Sequence, residues 1–485
     1  MRVFLALVLC VAGLCRAETA RATDSAGSDA QLRQGMELMR AQKYPEARRH
    51  FQRATEMNPQ FSQAFFYLGM SALHMNDRAA AEASLRRAIK LEPAAVNALY
   101  NLGVLLLDDK KPADAAKYFE KAKQAGSLSA ELAINLIRAH LEGGQTARAV
   151  AVAEEAGPQF AGVVEFDQMI GSLFLAHGVP GPACSALRAA DRLEPQRLEI
   201  VLPLATACLE SGDVATARAA LARIREKASA SPQYHALAAR VHFVAGEKEA
   251  ALEEMNAAVQ LAPRDPVLLL TLGRYYQKYG EQQKAVAVFE KAAALDPKSA
   301  EIPYSLAVSF ITAEDEPAAI AYLTKALALD PRFDRALFLL GSIHMAFDRP
   351  DKAEKPLAEA LRLQPKNPFY LCFFGMLRAA QDRLDDAQTQ FEQALTILPN
   401  YALVHFHLGR LLQKREQYAG AEAELERAIA LAPEMAEAYY QLGLLLHKRG
   451  EKEKGDEALA RFKALRDTEY SDRAVILKQL QDTLR

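Results

Sequence analysis

The chain has 485 residues and a mass of 53.3 kDa, with 51% hydrophobic residues, 8% aromatic residues and no Trp. Gly (24) and Pro (22) together make up less than a tenth of it, which excludes collagen-like and low-complexity disordered classes and leaves an Ala- and Leu-rich helical protein. Lys+Arg (59) and Asp+Glu (61) nearly balance at a net charge of −2, and no region is dominated by basic residues, which argues against a nucleic-acid binder working by counterion release.

Residues 1–17 read as an export signal: Arg2, an apolar stretch from Val3 to Leu14, and a small residue, Ala17, where a signal peptidase can cut. That stretch would span about 18 Å as a helix, short of the roughly 30 Å of a bilayer core, so a cleaved signal is the better reading than an anchor. Cleavage after Ala17 and after Ala22 both remain open, and Leu14 before Cys15 argues against lipoprotein processing. The expectation is an exported chain, periplasmic or secreted, with a polar linker at 18–27 and no transmembrane segment after cleavage.

From Ser28 to Glu469 one period governs the sequence. Prolines stand at Pro59, Pro93, Pro195, Pro263, Pro297, Pro331, Pro365, Pro399 and Pro433, always 34 residues or a multiple of 34 apart. Ten residues after each position of that series comes a small residue, such as Gly69, Gly103, Ala205, Gly273 or Gly341, with Ile137 the exception. Ala recurs at the same interval from Ala47 to Ala421, and Gly455 completes the series. Proline stops a helix because it lacks an N–H and clashes with the preceding turn, while small residues let paired helices approach closely. Between these marks apolar residues follow i, i+3, i+4, i+7 spacing, as in Ala98, Leu99, Leu102, Leu105 and Leu106. Each unit is therefore helix, short turn, helix.

These marks resemble the tetratricopeptide repeat, with small residues at the eighth and twentieth positions, a bulky residue such as Phe51, Phe119, Phe289 or Phe391 at the twenty-fourth, Ala at the twenty-seventh and Pro at the thirty-second. The phrase Ala98-Leu99-Tyr100-Asn101-Leu102-Gly103 matches the family's first helix. The resemblance implies an all-α fold: a right-handed superhelical α-solenoid of about 13 antiparallel helix pairs over 28–469. A C-terminal capping helix at 470–485 would cover the last pair with Ala474, Val475, Leu477 and Leu480.

The pattern is weakest over 130–263. Ile137 replaces a small residue, Gly157-Pro158 should end its helix early, Gly178-Val179-Pro180-Gly181-Pro182 should lengthen or stiffen a turn, and Pro203 falls inside a first helix. A bend is expected there, either as drift within a continuous coil or as a hinge between two arms. Cys184, Cys208 and Cys372 read first as small buried side chains. A Cys184–Cys208 disulfide is the alternative for an exported chain.

No HExxH, CxxC, P-loop or Gly-rich dinucleotide turn occurs, and His405 and His407, two apart on a helix, point away from each other. The expectation is a non-enzyme with no cofactor and no metal site. By the family resemblance, certain positions of each first helix face a ligand. They supply Phe66 and Tyr100, then the acidic run Glu131, Glu142, Glu165, Glu199 and Glu210 interrupted by Arg138. Arg240, Arg274 and Lys278 follow, then the aromatics Tyr304, Phe338 and Phe369, and last Arg410, Lys414, His447 and Lys448. Aromatic anchors flanked by Arg suit a peptide with an acidic end. The leading expectation is an exported scaffold that binds a protein or peptide partner in its concave groove, without nucleic acid. The rivals are a binder of an acidic glycan or polymer and a self-associating structural protein.

Overall fold

The computed structural model describes residues 26–465, and the chain divides into two compact units, one ending at Ala230 and the other beginning at Ser231. The expected signal at 1–17, the linker up to residue 25 and the capping helix at 470–485 lie outside the described residues.

Among the described residues the first unit holds twelve helices: α1 (26–40), α2 (Tyr44–Met57), α3 (Ser62–His74), α4 (Arg78–Leu91), α5 (Val96–Asp108), α6 (Pro112–Ala125), α7 (Ala130–Glu142), α8 (Thr146–Ala156), α9 (Val164–Ala176), α10 (Pro180–Leu193), α11 (Leu198–Glu210) and α12 (Val214–Ala228). The second holds fourteen among the described residues: α13 (Pro232–Val244), α14 (Lys248–Leu261), α15 (Pro266–Lys278), α16 (Gln282–Leu295), α17 (Glu301–Thr312), α18 (Glu316–Leu329), α19 (Asp334–Ala346), α20 (Pro350–Leu363), α21 (Pro368–Ala380), α22 (Leu384–Ile397), α23 (Ala402–Lys414), α24 (Tyr418–Leu431), α25 (Ala436–Lys448) and α26 (Lys452–Leu465). No strand occurs among the described residues. In each unit an odd-numbered helix packs against the even-numbered helix that follows it, and most even helices close onto the next odd one. Successive odd helices such as α5 and α7, or α21 and α23, also touch, so the first helices of neighbouring repeats form a continuous face. Each unit is thus a tetratricopeptide-like solenoid.

Within a pair, the approach is set by the small residue at position eight. A Cβ on Gly103 would lie 2.5 Å from Phe119 Cε1, and one on Gly273 would lie 2.3 Å from Phe289 Cε1. Repeat four keeps the volume and swaps its owner: Ile137 is fully buried, and the residue sixteen positions on, where other repeats carry Phe, Leu or Met, is Ala153. The apparent break in the pattern is a compensated exchange.

Every first helix ends alike. The residues Gln42, Asn76, Lys110, Gly144, Gly178, Gly212, Gly246, Gly280, Glu314, Asp348, Asp382, Glu416 and Gly450 have positive φ and are spaced 34 apart. The next N–H reaches back into the helix, Lys43 to the Leu38 carbonyl and Asp77 to the Ala72 carbonyl, each at 2.9 Å. These are Schellman caps, which satisfy carbonyls that the helix leaves open.

The weak stretch meets some of these expectations and departs from others. Helix α8 does stop early, at Ala156, but the turn before α10 is not lengthened: Pro180 takes the first helical position, where its missing N–H costs nothing. Pro203 sits inside α11 without interrupting it, and the Glu199 carbonyl that it cannot serve accepts a hydrogen bond from the Gln168 side chain at 3.3 Å. Finally, Cys184 and Cys208 are not merely buried thiols. They form a disulfide between α10 and α11, with Cα atoms 4.9 Å apart, leaving Cys372 free and buried in the second unit. One junction also departs from its neighbours: α8 packs on α7 but scarcely touches α9.

Candidate functional site

The first-helix face carries a defined trough in repeats three to five. It is about 630 Å³ in volume and is lined by Tyr100, Ile134, Val163, Phe166, Met169 and Leu173. Helix α7 starts where Ser129 accepts the Leu132 N–H at 3.2 Å, which sets Glu131, Ile134 and Arg138 toward the trough. The Asn135 amide donates to the Tyr100 hydroxyl at 2.9 Å and fixes that ring, and burial raises the tyrosine's pKa. Met169 is 51% exposed and Val163 42%, values high for apolar side chains this close together. Glu131 and Glu165 flank them, while Arg138 is held by Glu142 at 2.8 Å. Chemically this is an apolar surface with a net acidic rim.

Of the residues picked from the sequence, Phe66 and Tyr100 belong to the first unit and the other eight to the second. Phe66 is half-buried with its ring edge-on to Tyr67 at 5.1 Å. Tyr304 and Phe338 are buried rather than displayed: Tyr304 lies against Phe333 at 5.0 Å, and Phe338 stacks on Tyr370 at 4.7 Å. Phe369 is exposed beside Tyr401. Arg274 donates to Glu301 at 2.6 Å, and Glu301 also accepts from Arg335, whose guanidinium covers Tyr304 at 5.1 Å from the ring centre. Lys414 pairs with Asp382 at 2.7 Å, and Arg410 lies over Phe406 at 5.7 Å. Arg240 and Lys278 are exposed, and Arg240 is close enough to Tyr275 to oppose the burial that pushes that phenol up to about 12. Much of the basic stripe is therefore engaged within the fold.

The residues that reading missed are Ile134, Val163, Met169 and Leu173. Their signal was available as apolar side chains on a face otherwise marked by Glu, but it was hidden beside the more conspicuous charges. For metals, the grouping of possible ligands among the described residues is Cys184, Cys208 and Asp213, and there both sulfurs are consumed by the disulfide while Asp213 accepts from Arg188 at 2.6 Å. No helix among the described residues is long and apolar enough to cross a membrane.

The paired helices and the fixed 34-residue caps define a helical repeat scaffold, a fold that supports protein–protein interaction. Two family descriptions match the chain: the tetratricopeptide repeat over 32–74 and 68–130, and the C-terminal domain of cilia and flagella-associated protein 70 over 204–442. The chain belongs to the tetratricopeptide repeat superfamily. No curated protein sequence matches it significantly. Among solved structures it is similar to the APC/C hetero-tetramer Cut9–Hcn1, at 17% identity over 95% of this chain and 98% of that chain with a TM-score of 0.44. It is also similar to a tetratricopeptide repeat protein from Parabacteroides merdae (18%, 52% and 98%, TM-score 0.42) and to yeast Tom70 (17%, 94% and 95%, TM-score 0.38). At these identities the likeness is one of fold alone.

Proposed function

We propose that the protein is an exported, non-catalytic scaffold that holds a segment of a partner protein against the first-helix face of repeats three to five. The observation that carries this reading is the open apolar trough with Met169 half exposed in its wall. Apolar anchors in a shaped groove supply most of the energy at protein interfaces, and the rim of Glu131 and Glu165 favours a segment bearing basic residues. The acidic-ended peptide expected for the basic stripe is less well supported, because Arg274 and Lys414 already have carboxylate partners. The same ion pairs weigh against the glycan reading. Export is supported by the N-terminal apolar run and by the Cys184–Cys208 disulfide, since disulfides persist in oxidising compartments.

Affinity capture from the native extract separates these readings. Ile134→Glu with Met169→Glu should reduce recovery of the partner by more than about tenfold, as loss of a central apolar anchor does. Arg240→Glu with Arg274→Glu and Lys278→Glu should leave it nearly unchanged. The opposite outcome would return the site to the basic stripe.

A further inference from the structure

Helix α9 has two sides. One forms the trough wall; the other faces a second cleft, about 650 Å³, between α8, α9 and α10. Its origin is local and sequence-encoded. Gly157-Pro158 removes the last turn of α8, and the exchange that placed Ile137 in the core left only Ala153 on this helix. Elsewhere in the unit an even helix closes onto the next odd one, whereas α8 and α9 scarcely touch.

The walls are helical and mostly small or apolar: Ala153 and Gly157 on α8 and its cap, Ile170 and Phe174 on α9, Ala186 and Ala189 on α10. These residues are three or four apart, which leaves ridges and grooves of the kind that accept another helix. The α10 wall, from Pro182 to Leu193, is about 16 Å long, three helical turns. Asp167 stands in this wall, partly buried, and no hydrogen bond or ion pair reaches its carboxylate among the described residues. Burial raises its pKa, with no positive group near enough to oppose it. Glu154 adds a second negative charge at the rim, where Arg192 is the one cation. An uncompensated carboxylate in an apolar wall favours an incoming cation.

We propose that this cleft is a second docking site, which takes an apolar helical segment of a partner protein carrying one Lys or Arg that meets Asp167. It opens on the other side of α9 from the trough, shares only Phe166 with it, and is argued independently of it. The test is selection of a phage-displayed library of helical peptides of about 14 residues on the immobilised full chain, followed by fluorescence anisotropy of the enriched peptides. Enriched peptides should carry apolar residues at i, i+4 and i+7 with one basic residue. They should bind Asp167→Asn about tenfold more weakly or worse, because a buried charge pair is broken. They should not bind Ala186→Phe, which fills the cleft, and should bind Met169→Glu as well as wild type. Asp167→Asn should unfold at no lower a temperature than wild type, so weakened binding cannot be ascribed to unfolding; Ala189→Phe replaces Ala186→Phe if the latter fails to fold.

Absence of enrichment, enriched peptides lacking a basic residue, or indifference to Asp167→Asn would overturn the proposal. So would self-association in light scattering that Ala186→Phe abolishes, which would make a second copy the occupant, or an apolar dye that fills the cleft where no peptide binds. Peptides lost on Met169→Glu would belong to the trough and support the earlier reading alone.

Discussion

Replacing Cys184 and Cys208 together by Ser should lower the stability of the first unit by about 3 kcal/mol, and a reducing agent should do the same to the wild-type chain. The bridge closes a loop of 24 residues in sequence separation, and a cross-link of that length removes conformational freedom chiefly from the unfolded chain. It joins α10 to the first helix of the next repeat, so its loss weakens an interface between repeats. In a solenoid each repeat leans only on its neighbours, and that interface is a large part of what holds repeats five and six. The local polar network cannot replace it: Arg188 donates to Asp213 at 2.6 Å and to the Thr216 hydroxyl at 3.1 Å, but all of these groups are at least partly solvated. Urea unfolding followed with and without reductant should show the midpoint of the first unit falling and that of the second unchanged. An unchanged midpoint for both would mean that the bond contributes nothing to the fold.

The second large effect is expected in the core of the second unit. Phe289 is fully buried on α16 against Gly273 of α15, and Phe289→Ala should cost about 3–5 kcal/mol through the cavity it leaves. Gly273→Ile alone should also destabilise by at least about 1–3 kcal/mol, because its Cβ would already fall 2.3 Å from the Phe289 ring. Combined, the two changes should cost less than their sum, since the new side chain occupies the space that the ring vacates. The molecule already contains this solution: repeat four has Ile137 and Ala153 at the equivalent positions. A double-mutant cycle on urea midpoints measures the coupling. Strict additivity would show that positions eight and twenty-four do not share one volume.

The helix pairs were legible because their causes are local and recur at fixed offsets: small residues at positions eight and twenty, an apolar stripe, and a proline that closes most repeats. The Schellman caps were not, because a left-handed residue can be Gly, Asn, Asp or even Glu314 and Lys110, so the backbone repeats while the side chain does not. The disulfide was readable as an alternative, but its choice required knowing that α10 and α11 bring residues 24 apart to within 4.9 Å. For the candidate site, the surroundings of each picked residue depend on neighbouring repeats. Tyr304 and Phe338 look like anchors in sequence, yet α17 and α19 turn them into the core. Arg274 and Lys414 look free until Glu301 of α17 and Asp382 of the turn after α21 arrive beside them. Such pairings between repeats are invisible to a reading that takes one repeat at a time. The trough at Tyr100 to Leu173 was overlooked for the converse reason, since Ile134 and Met169 are ordinary helix residues whose exposure is decided by how far their neighbours reach.

The most direct test of the scaffold reading is site-specific photo-cross-linking with benzoylphenylalanine placed at Met169 in the full chain, with Lys117 on the exposed surface of α6 as the control position. In native extract the trough position should yield one defined protein adduct that disappears when Ile134→Glu is added, and the control position should not yield it. Identical adducts at both positions, or none at Met169, would contradict the claim that a partner segment is held there.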